Sequence, residues 1–409
     1  MKIQTGGDII DSNSRKKRIL AAAEKIMSQK GVNATISEIA KEAGVFDSNI
    51  YHYFKNKEDL LFSIAGDRNQ YLIGDLEIQL KGIRDPVSKL SKLIWWQLYR
   101  HEMYPEFSKL ILFECRSKKN YYYHPAFDWI RDLRATFNII FDEGIKANVF
   151  RDDLNKNALW YIIFGLTDLE CIMSCVKKDT GPASNDLDAI MDLLLPIILA
   201  SDLKKGRKPN KTDTIIKAAE SVFSQKGYED STIQDIARKA NVSDGSIYAY
   251  FTNKEDLLYS VIEYGFKDSN IKEGLNGHLQ SLLNTQDIWT PIELIQRFIQ
   301  RNFFIGIIQP DLAKLHVMHG IYSSGFYSST AFAAFDRYIE SIFPVLDEGK
   351  ADGSIRPEVN NRVFTNMIIG AYSLTNIRWH LADHTADIDK PNEINEMMTM
   401  LTRSIIQKP

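Results

Sequence analysis

Few side chains in this sequence stand at spacings that suit covalent or metal chemistry. His101-Glu102 begins like a helical zinc site, but Pro105 occupies the place of the second histidine and would break the helix that must present it. Cys171 and Cys175 lie one helical turn apart, and His316 and His319 have Asp311 nearby, yet neither pair has an evident third and fourth ligand. No phosphate loop, nucleophile elbow or dinucleotide fingerprint is present, so no catalytic residue, no metal site and no cofactor is assigned. Hydrogen-bonding chemistry is better represented, in two short runs: Phe46-Asp47-Ser48-Asn49 with His52, and Ser243-Asp244-Gly245-Ser246 with Ala249. Asn can pair bidentately with adenine, His can donate to guanine acceptors and Ala can meet a thymine methyl, so such runs suit the reading of base edges.

Both runs sit inside an internal duplication. Ile19 to Gly31 matches Ile215 to Gly227 at eight of thirteen positions, and Ile50 to Ser63 matches Ile247 to Ser260 at eleven of fourteen. Farther on, Asp142-Glu143-Gly144 with Arg151 and Gly165 parallels Asp347-Glu348-Gly349 with Arg356 and Gly370. At roughly 150 residues per domain, 409 residues suggest two to three domains; a period near 200 is too long for a solenoid, so each copy is instead a domain pair.

The elements that must hold these runs are helical throughout. Ile19, Ala22, Ala23, Ile26 and Met27 form an apolar stripe at helical spacing, repeated by Ile215, Ala218, Ala219, Val222 and Phe223. Gly31 and Gly227 end that helix. Thr35 stands three before Glu38 and Thr232 three before Asp235, a threonine cap with an acid at N3 opening a second helix. Gly44 and Asn241 then provide the left-handed residue of a tight turn. A third helix over 48–54 and 245–251 follows, and Asn56 and Asn253 cap a fourth. Two short helices joined by such a turn and braced by a preceding one form a helix-turn-helix.

The run from Thr35 through Ile39-Ala40, Ala43-Gly44-Val45, Ile50-Tyr51, Tyr53-Phe54 and Lys57-Glu58 resembles the DNA-binding domain of the tetracycline-repressor (TetR) family. Thr232, Ile236-Ala237, Val242-Ser243, Gly245, Ile247-Tyr248, Tyr250-Phe251 and Lys254-Glu255 repeat the resemblance. It implies an all-α fold: two tandem three-helix helix-turn-helix domains at 14–68 and 211–265, each followed by a helical bundle for ligand binding and dimerisation at 69–202 and 266–409, with a basic linker at 203–210. It further implies that Tyr51, Tyr53 and Lys57, and likewise Tyr248, Tyr250 and Lys254, hold phosphates, with Thr35 and Thr232 adding anion binding at a helix start. Packing within the small bundle is the alternative for the tyrosines. Where the family usually has a small capping residue the first copy has Phe46, whereas the second keeps Ser243. Asp47 or Ser48 is expected to take over the cap, and Phe46 either packs on a thymine methyl or weakens this head.

The formal net charge of -3 averages unlike parts. Residues 14–68 hold ten Lys and Arg against seven acids, whereas 211–265 hold six against nine, with Lys204, Lys205, Arg207 and Lys208 just upstream. The first head is therefore expected to bind DNA more tightly, and the operator to have unlike half-sites. In the bundles, aromatic density predicts a small hydrophobic or aromatic effector. Candidate lining residues are Trp95, Trp96, Tyr99, Tyr123, Phe127, Trp160 and Phe164 in the first copy, and Phe303, His316, His319, Tyr322 and Trp379 in the second. At helical spacing such stripes are more often core. Three cysteines, no recognisable signal peptide and no uninterrupted apolar run of membrane length predict a cytoplasmic protein without a membrane partner. The expected function is a ligand-responsive regulator, a repressor, whose copies pair within one chain or between two chains. The rival is a ligand-sensing or protein-binding module with one or both heads degenerate.

Overall fold

The computed structural model describes residues 6–177, 180–200, 231–248, 250, 251, 253, 254, 290–381 and 388–407, together with 215, 218, 219, 222 and 257. The chain divides into two units, one of residues 1–200 with 290–409 and one of residues 201–289.

The larger unit begins with α1 (Gly6–Lys30), whose Ile19, Ala22, Ala23 and Met27 are buried against α2 (Ile36–Ala43) and α4 (Lys57–Leu80), with α3 (Asp47–Tyr53) between them in sequence. The expected head boundary at 68 falls in the middle of α4. One continuous helix therefore belongs to both the head and the bundle, and a shift at either end reaches the other without a hinge. The bundle adds α5 (Pro86–Met103), α6 (Pro105–Lys109) with a π turn at Leu110–Cys115, α7 (Trp129–Lys146), α8 (Lys156–Val176) and α9 (Leu187–Ile198). Asp85 caps α5 with Pro86 in its first turn, and Pro105 starts α6, where a missing N–H costs nothing.

In the smaller unit, the described helices are α10 (Ile233–Ala240) and α11 (Asp244–Tyr248). Ile215, Ala218, Ala219 and Val222 join Ile236, Ala237, Ala240, Ile247, Phe251 and Leu257 in one apolar core. Phe223, Gly227, Ala249 and the linker 203–210 lie outside the described residues.

The larger unit resumes with α12 (Pro291–Ile308), α13 (Pro310–Leu315), α14 (Thr330–Glu340), α15 (Phe343–Ala351), α16 (Asn361–Leu381) and α17 (Lys390–Arg403). The duplication is legible element by element. α5 and α12 are both 18 residues long, and α8 and α16 are both 21. Tyr122 and Tyr327 each donate a 2.7 Å hydrogen bond to the carbonyl six residues back, at Arg116 and Ile321. One break has a clear cause: where α7 is continuous the second copy stops at Glu340 and restarts at Phe343, because Pro344 stands where the first copy has Ile139 and cannot continue a helical ladder.

The two bundles pack on each other chiefly through α8 and α16. Both helices are buried along nearly their whole length, α8 mostly apolar and α16 with buried polar residues such as Asn366 and Ser373 among its apolar ones. α8 is also long and apolar enough to cross a membrane, and its apolar surface is spent on this packing. The helices cross at Gly165 and Gly370: a Cβ on Gly165 would lie 2.2 Å from the Gly370 carbonyl oxygen, and one on Gly370 would lie 2.1 Å from the Gly165 oxygen. No side chain fits there, so backbone meets backbone. We predict that Gly165→Ala lowers unfolding stability by roughly 3 kcal/mol, at the upper end of overpacking costs, because the obstructing atoms are main chain. Urea denaturation of the full chain measures this. A change below about 0.5 kcal/mol would exclude the close crossing.

Candidate nucleic-acid interface

Each head builds its reading unit from caps and one left-handed residue. Thr35 Oγ1 accepts from the Glu38 N–H at 3.2 Å while Glu38 Oε2 accepts from the Thr35 N–H at 2.9 Å. Thr232 and Asp235 form the same reciprocal pair at 3.1 Å in both directions. These caps fix where α2 and α10 begin. Both helices end on a left-handed residue, Gly44 at φ 66° and Asn241 at φ 54°. The next N–H, of Val45 or Val242, reaches back to the Ala40 or Ala237 carbonyl at 2.9 Å in each copy. Gly and Asn thus give the same turn.

That turn sets α3 and α11. In α3, Ile50 is buried with Phe54 behind it, so Asp47, Ser48, Tyr51 and His52 form the outer face, while Asn49 and Tyr53 are half-buried. Phe46 precedes the helix 81% exposed, an unusual cost for a large apolar ring. The cap differs from expectation. Neither Asp47 nor Ser48 takes it: the Asn49 Oδ1 accepts from the Phe46 N–H at 3.1 Å, and Asp47 accepts instead from Ser37 Oγ of α2. Phenylalanine has no acceptor, so the reciprocal half of the box does the capping alone. Asn49 must leave that bond before its oxygen and amide can pair together with an adenine. In the second head Ser243 Oγ and Ser246 Oγ are 2.9 Å apart, Gly245 and Tyr248 are exposed, Asp244 is half-buried and Tyr250 is 48% exposed.

Lys57 and Lys254 stand half-buried at the start of the fourth helix in each copy. In the first head that turn is gripped from the bundle side. Asn120 donates to Glu58 at 3.0 Å, Lys118 lies 3.8 Å from it, and His124 Nε2 is 2.7 Å from Asp59. Burial works against the Asp59 charge, but the Lys55 N–H and His124 outweigh it and hold the carboxyl below its ordinary range. A cavity of about 210 Å³ opens beside this turn, lined by Met27, Gly31, Lys57, Glu58, Leu61, Leu110, Glu114 and Lys118.

The candidate effector residues do not converge on that cavity. Trp160 and Phe164 stack at 3.7 Å in the core beside Phe137, and Trp96 is buried under Arg100. Trp95 and Tyr99 stack on each other at 4.5 Å, with Tyr99 exposed, and Phe127 packs on Tyr121 at 5.1 Å. Tyr123 donates to the Leu381 carbonyl. In the second copy Phe303 meets Tyr372 edge-on, the Trp379 indole donates to Glu393 at 3.0 Å, and Tyr322 is buried with its hydroxyl 3.4 Å from Asp168. His316 is half-buried and His319 exposed. Most of these rings pack on neighbouring rings or side chains. What aromatic spacing missed is a set of buried polar side chains on α4, α5 and α8 and after the π turn: Asn69, Gln97, Arg100, His101, Arg116 and Asp168. The signal was available, since the second copy has Ile305, Gly306 and Ile321 where the first has Arg100, His101 and Arg116. Cys171 is buried on α8 with its thiol pushed well up by burial, which disfavours thiolate chemistry.

Residues 19–64 and 215–261 each match the family model described as bacterial regulatory proteins, tetR family. Both heads are TetR-type helix-turn-helix domains. The chain is 27% identical over 185 residues to the fatty acid metabolism regulator protein of Bacillus subtilis (strain 168), which takes in 45% of this chain and 90% of that one. To the transcriptional repressor KstR2 of Mycolicibacterium smegmatis it is 25% identical over 159 residues, 37% of this chain and 74% of the relative. Among solved structures, the transcriptional regulator FadR of Bacillus subtilis in complex with stearoyl-CoA aligns at 24% identity and a TM-score of 0.41, over 44% of this chain and 97% of that one. Ninety per cent of the Bacillus subtilis fatty acid metabolism regulator corresponds by sequence to 45% of this chain, as a tandem arrangement requires. The protein is a helix-turn-helix transcriptional regulator with two TetR-type heads.

The capping geometry makes a pH prediction. The Lys30 ammonium first, then the Thr35 N–H, hold the Glu38 carboxyl at about 2, below its ordinary 4.5. A depressed acid contributes stability that is present above pH 4.5 and lost as the pH falls toward 2. Thr35→Ala should cost about 1 kcal/mol at neutral pH through the lost cap, and Lys30→Met should flatten the acid loss. Thermal melts across the acid range check both, and an unchanged acid slope in Lys30→Met would mean that the ammonium does not hold the carboxyl down.

Proposed function

We propose that this TetR-family regulator acts as a single-chain pseudo-dimer, its two unlike heads reading an operator with unlike half-sites and an effector in the bundles releasing it, so that binding represses. The observation that carries the reading is the asymmetry of the α8 to α16 packing. Glu170 of α8 is 1% exposed, and its partners come from the other copy: Arg362 at 2.6 Å and Asn366 at 3.1 Å. Arg362 also reaches Asp186 at 2.6 Å. At the corresponding positions the second copy has Thr375, and the first has Asn157 and Tyr161 in place of Arg362 and Asn366. Two first copies paired with each other would bury both Glu170 carboxylates without a cation, which costs several kcal/mol. Pairing of unlike copies is therefore favoured over pairing of like ones, and one chain supplies both.

On this reading Tyr51, Tyr53, Lys57 and Thr35, and in the second head Tyr248, Tyr250, Lys254 and Thr232, hold phosphates, while the outer faces of α3 and α11 meet base edges. Phe46 meets a thymine methyl beside the first recognition helix. Ser243, Gly245 and Ser246 are shorter and read less.

Two measurements test this. Replacing Tyr53 and Lys57 together by Phe and Ala should weaken operator binding and lower the slope of affinity against salt by about one, and Tyr250 with Lys254 should act likewise but less. If neither pair weakens binding of genomic fragments, the phosphate roles are wrong. Arg362→Ala should cost roughly 3 kcal/mol by stranding Glu170, and Glu170→Gln in the same chain should recover most of it. The unaltered protein should run in solution at the 46.9 kDa of one chain, and a mass of two chains would replace the pseudo-dimer by a four-headed dimer.

A further inference from the structure

Around Arg100 and Arg116 the first bundle buries two guanidiniums beside one carboxylate, Asp168. Arg116 lies 2.9 Å from Asp168, with both buried, and Tyr322 also points at that carboxylate. Arg100 is equally buried, yet its hydrogen-bond acceptors are only neutral amides: Asn69 Oδ1 at 2.7 Å and Gln97 Oε1 at 3.1 Å. Its guanidinium carbon lies over the rings of Trp96 and Trp129, 5.3 and 5.4 Å from their centroids. His101 beside it is 6% exposed with neither ring nitrogen bonded, and the Asn69 amide and the Arg116 Nε are likewise unpartnered. Burial, then Arg100 and Arg116, push the imidazole well below its ordinary value, and burial lowers Arg100 itself to about 10. One carboxylate thus serves two guanidiniums, and several donors have no acceptor. Buried charge and unmet donors at this density are costly unless an anion completes them.

We propose that Arg100, His101 and Asn69 form the recognition site for a small organic acid, its carboxylate held by these donors and its apolar body against Trp96 and Trp129. The inference rests on the regulator reading above and names the class of its effector. A bidentate Arg to carboxylate pair is the strong form of such a contact. The site is confined to the first copy, because Ile305, Gly306 and Ile321 stand in the corresponding places of the second. Asn69 lies on α4, the helix that begins at Lys57, so an acid that draws its side chain from Arg100 acts on the element that carries the head.

The test uses the full chain and four probes: hexanoate and benzoate, each against its neutral amide, at an ionic strength fixed with sodium chloride. Both acids should raise the melting temperature, with apparent affinity at least about tenfold above the amides. In the absence of acid, Arg100→Met should melt no lower than the parent, because it removes an uncompensated buried charge, and it should not respond to acid. His101→Phe should keep the melting temperature and weaken the response. Equal responses to acids and amides, no response to either acid, or an Arg100→Met protein that melts lower yet still responds would each overturn the inference. Because melting is read without DNA, acid binding by a chain that holds no operator would sink the regulator reading and leave this site standing.

Discussion

The close crossing of α8 and α16 at Gly165 and Gly370 is the constraint on which the larger unit depends. Two helices can approach backbone to backbone only where neither has a Cβ, and every other contact across the pair is then set by that register. It places Glu170 beside Arg362, Tyr322 beside Asp168, and Arg356 where it donates to Asp192 and to the Ser404 carbonyl. A helix pair of this kind is usually made by two identical chains, where each contact occurs twice. Here each of these contacts occurs once, and that freedom lets one copy carry the acid and the other the base.

The same duplication explains how the halves diverged without losing the fold. Lengths of paired helices, the caps of α5 and α12, and the tyrosine bond behind the π turn are kept, because each fixes a backbone path. The interior was free to change as long as volume was filled. Arg100 to Ile305 and Arg116 to Ile321 are such exchanges, and they turn a charged interior into an apolar one. A merely structural bundle gains nothing from the charged version, since apolar residues of similar size are as stable or more so.

Much of the heads could be read in the sequence, because their structure is local. Thr35 with Glu38, Thr232 with Asp235, Gly44 and Asn241 each act over three or four residues, and the spacing alone specifies the bond. Phe46 was misjudged for the same reason: the cap was sought in the residues after it, whereas Asn49 closes the helix from its third position. The bundles were less legible. Gly165 and Gly370 stood out only as matched positions, because their role is a contact between segments some 200 residues apart. The aromatic residues attracted notice by number and pack mostly on their own neighbours, while Arg100 and His101 passed as ordinary polar residues until burial was known.

Asymmetry also bears on how an effector signal could be shared. In a pair of identical chains an effector acts on two equal sites and moves two equal heads. Among the described residues the buried Arg100 and Arg116 belong to the first copy, and the α4 that borders them leads into the head with the excess of Lys and Arg. The head with the larger count of Lys and Arg is thus the one whose fourth helix carries Asn69. Glu58 and Asp59 tie the start of that helix to Asn120, Lys118 and His124 of its own bundle, so a displacement along α4 must either break these bonds or carry the loop with it. Either outcome alters the position of Lys57 in the same turn. On the proposed reading, a single site coupled to that head is sufficient for release, because an operator held by two heads loses most of its affinity once one of them is withdrawn.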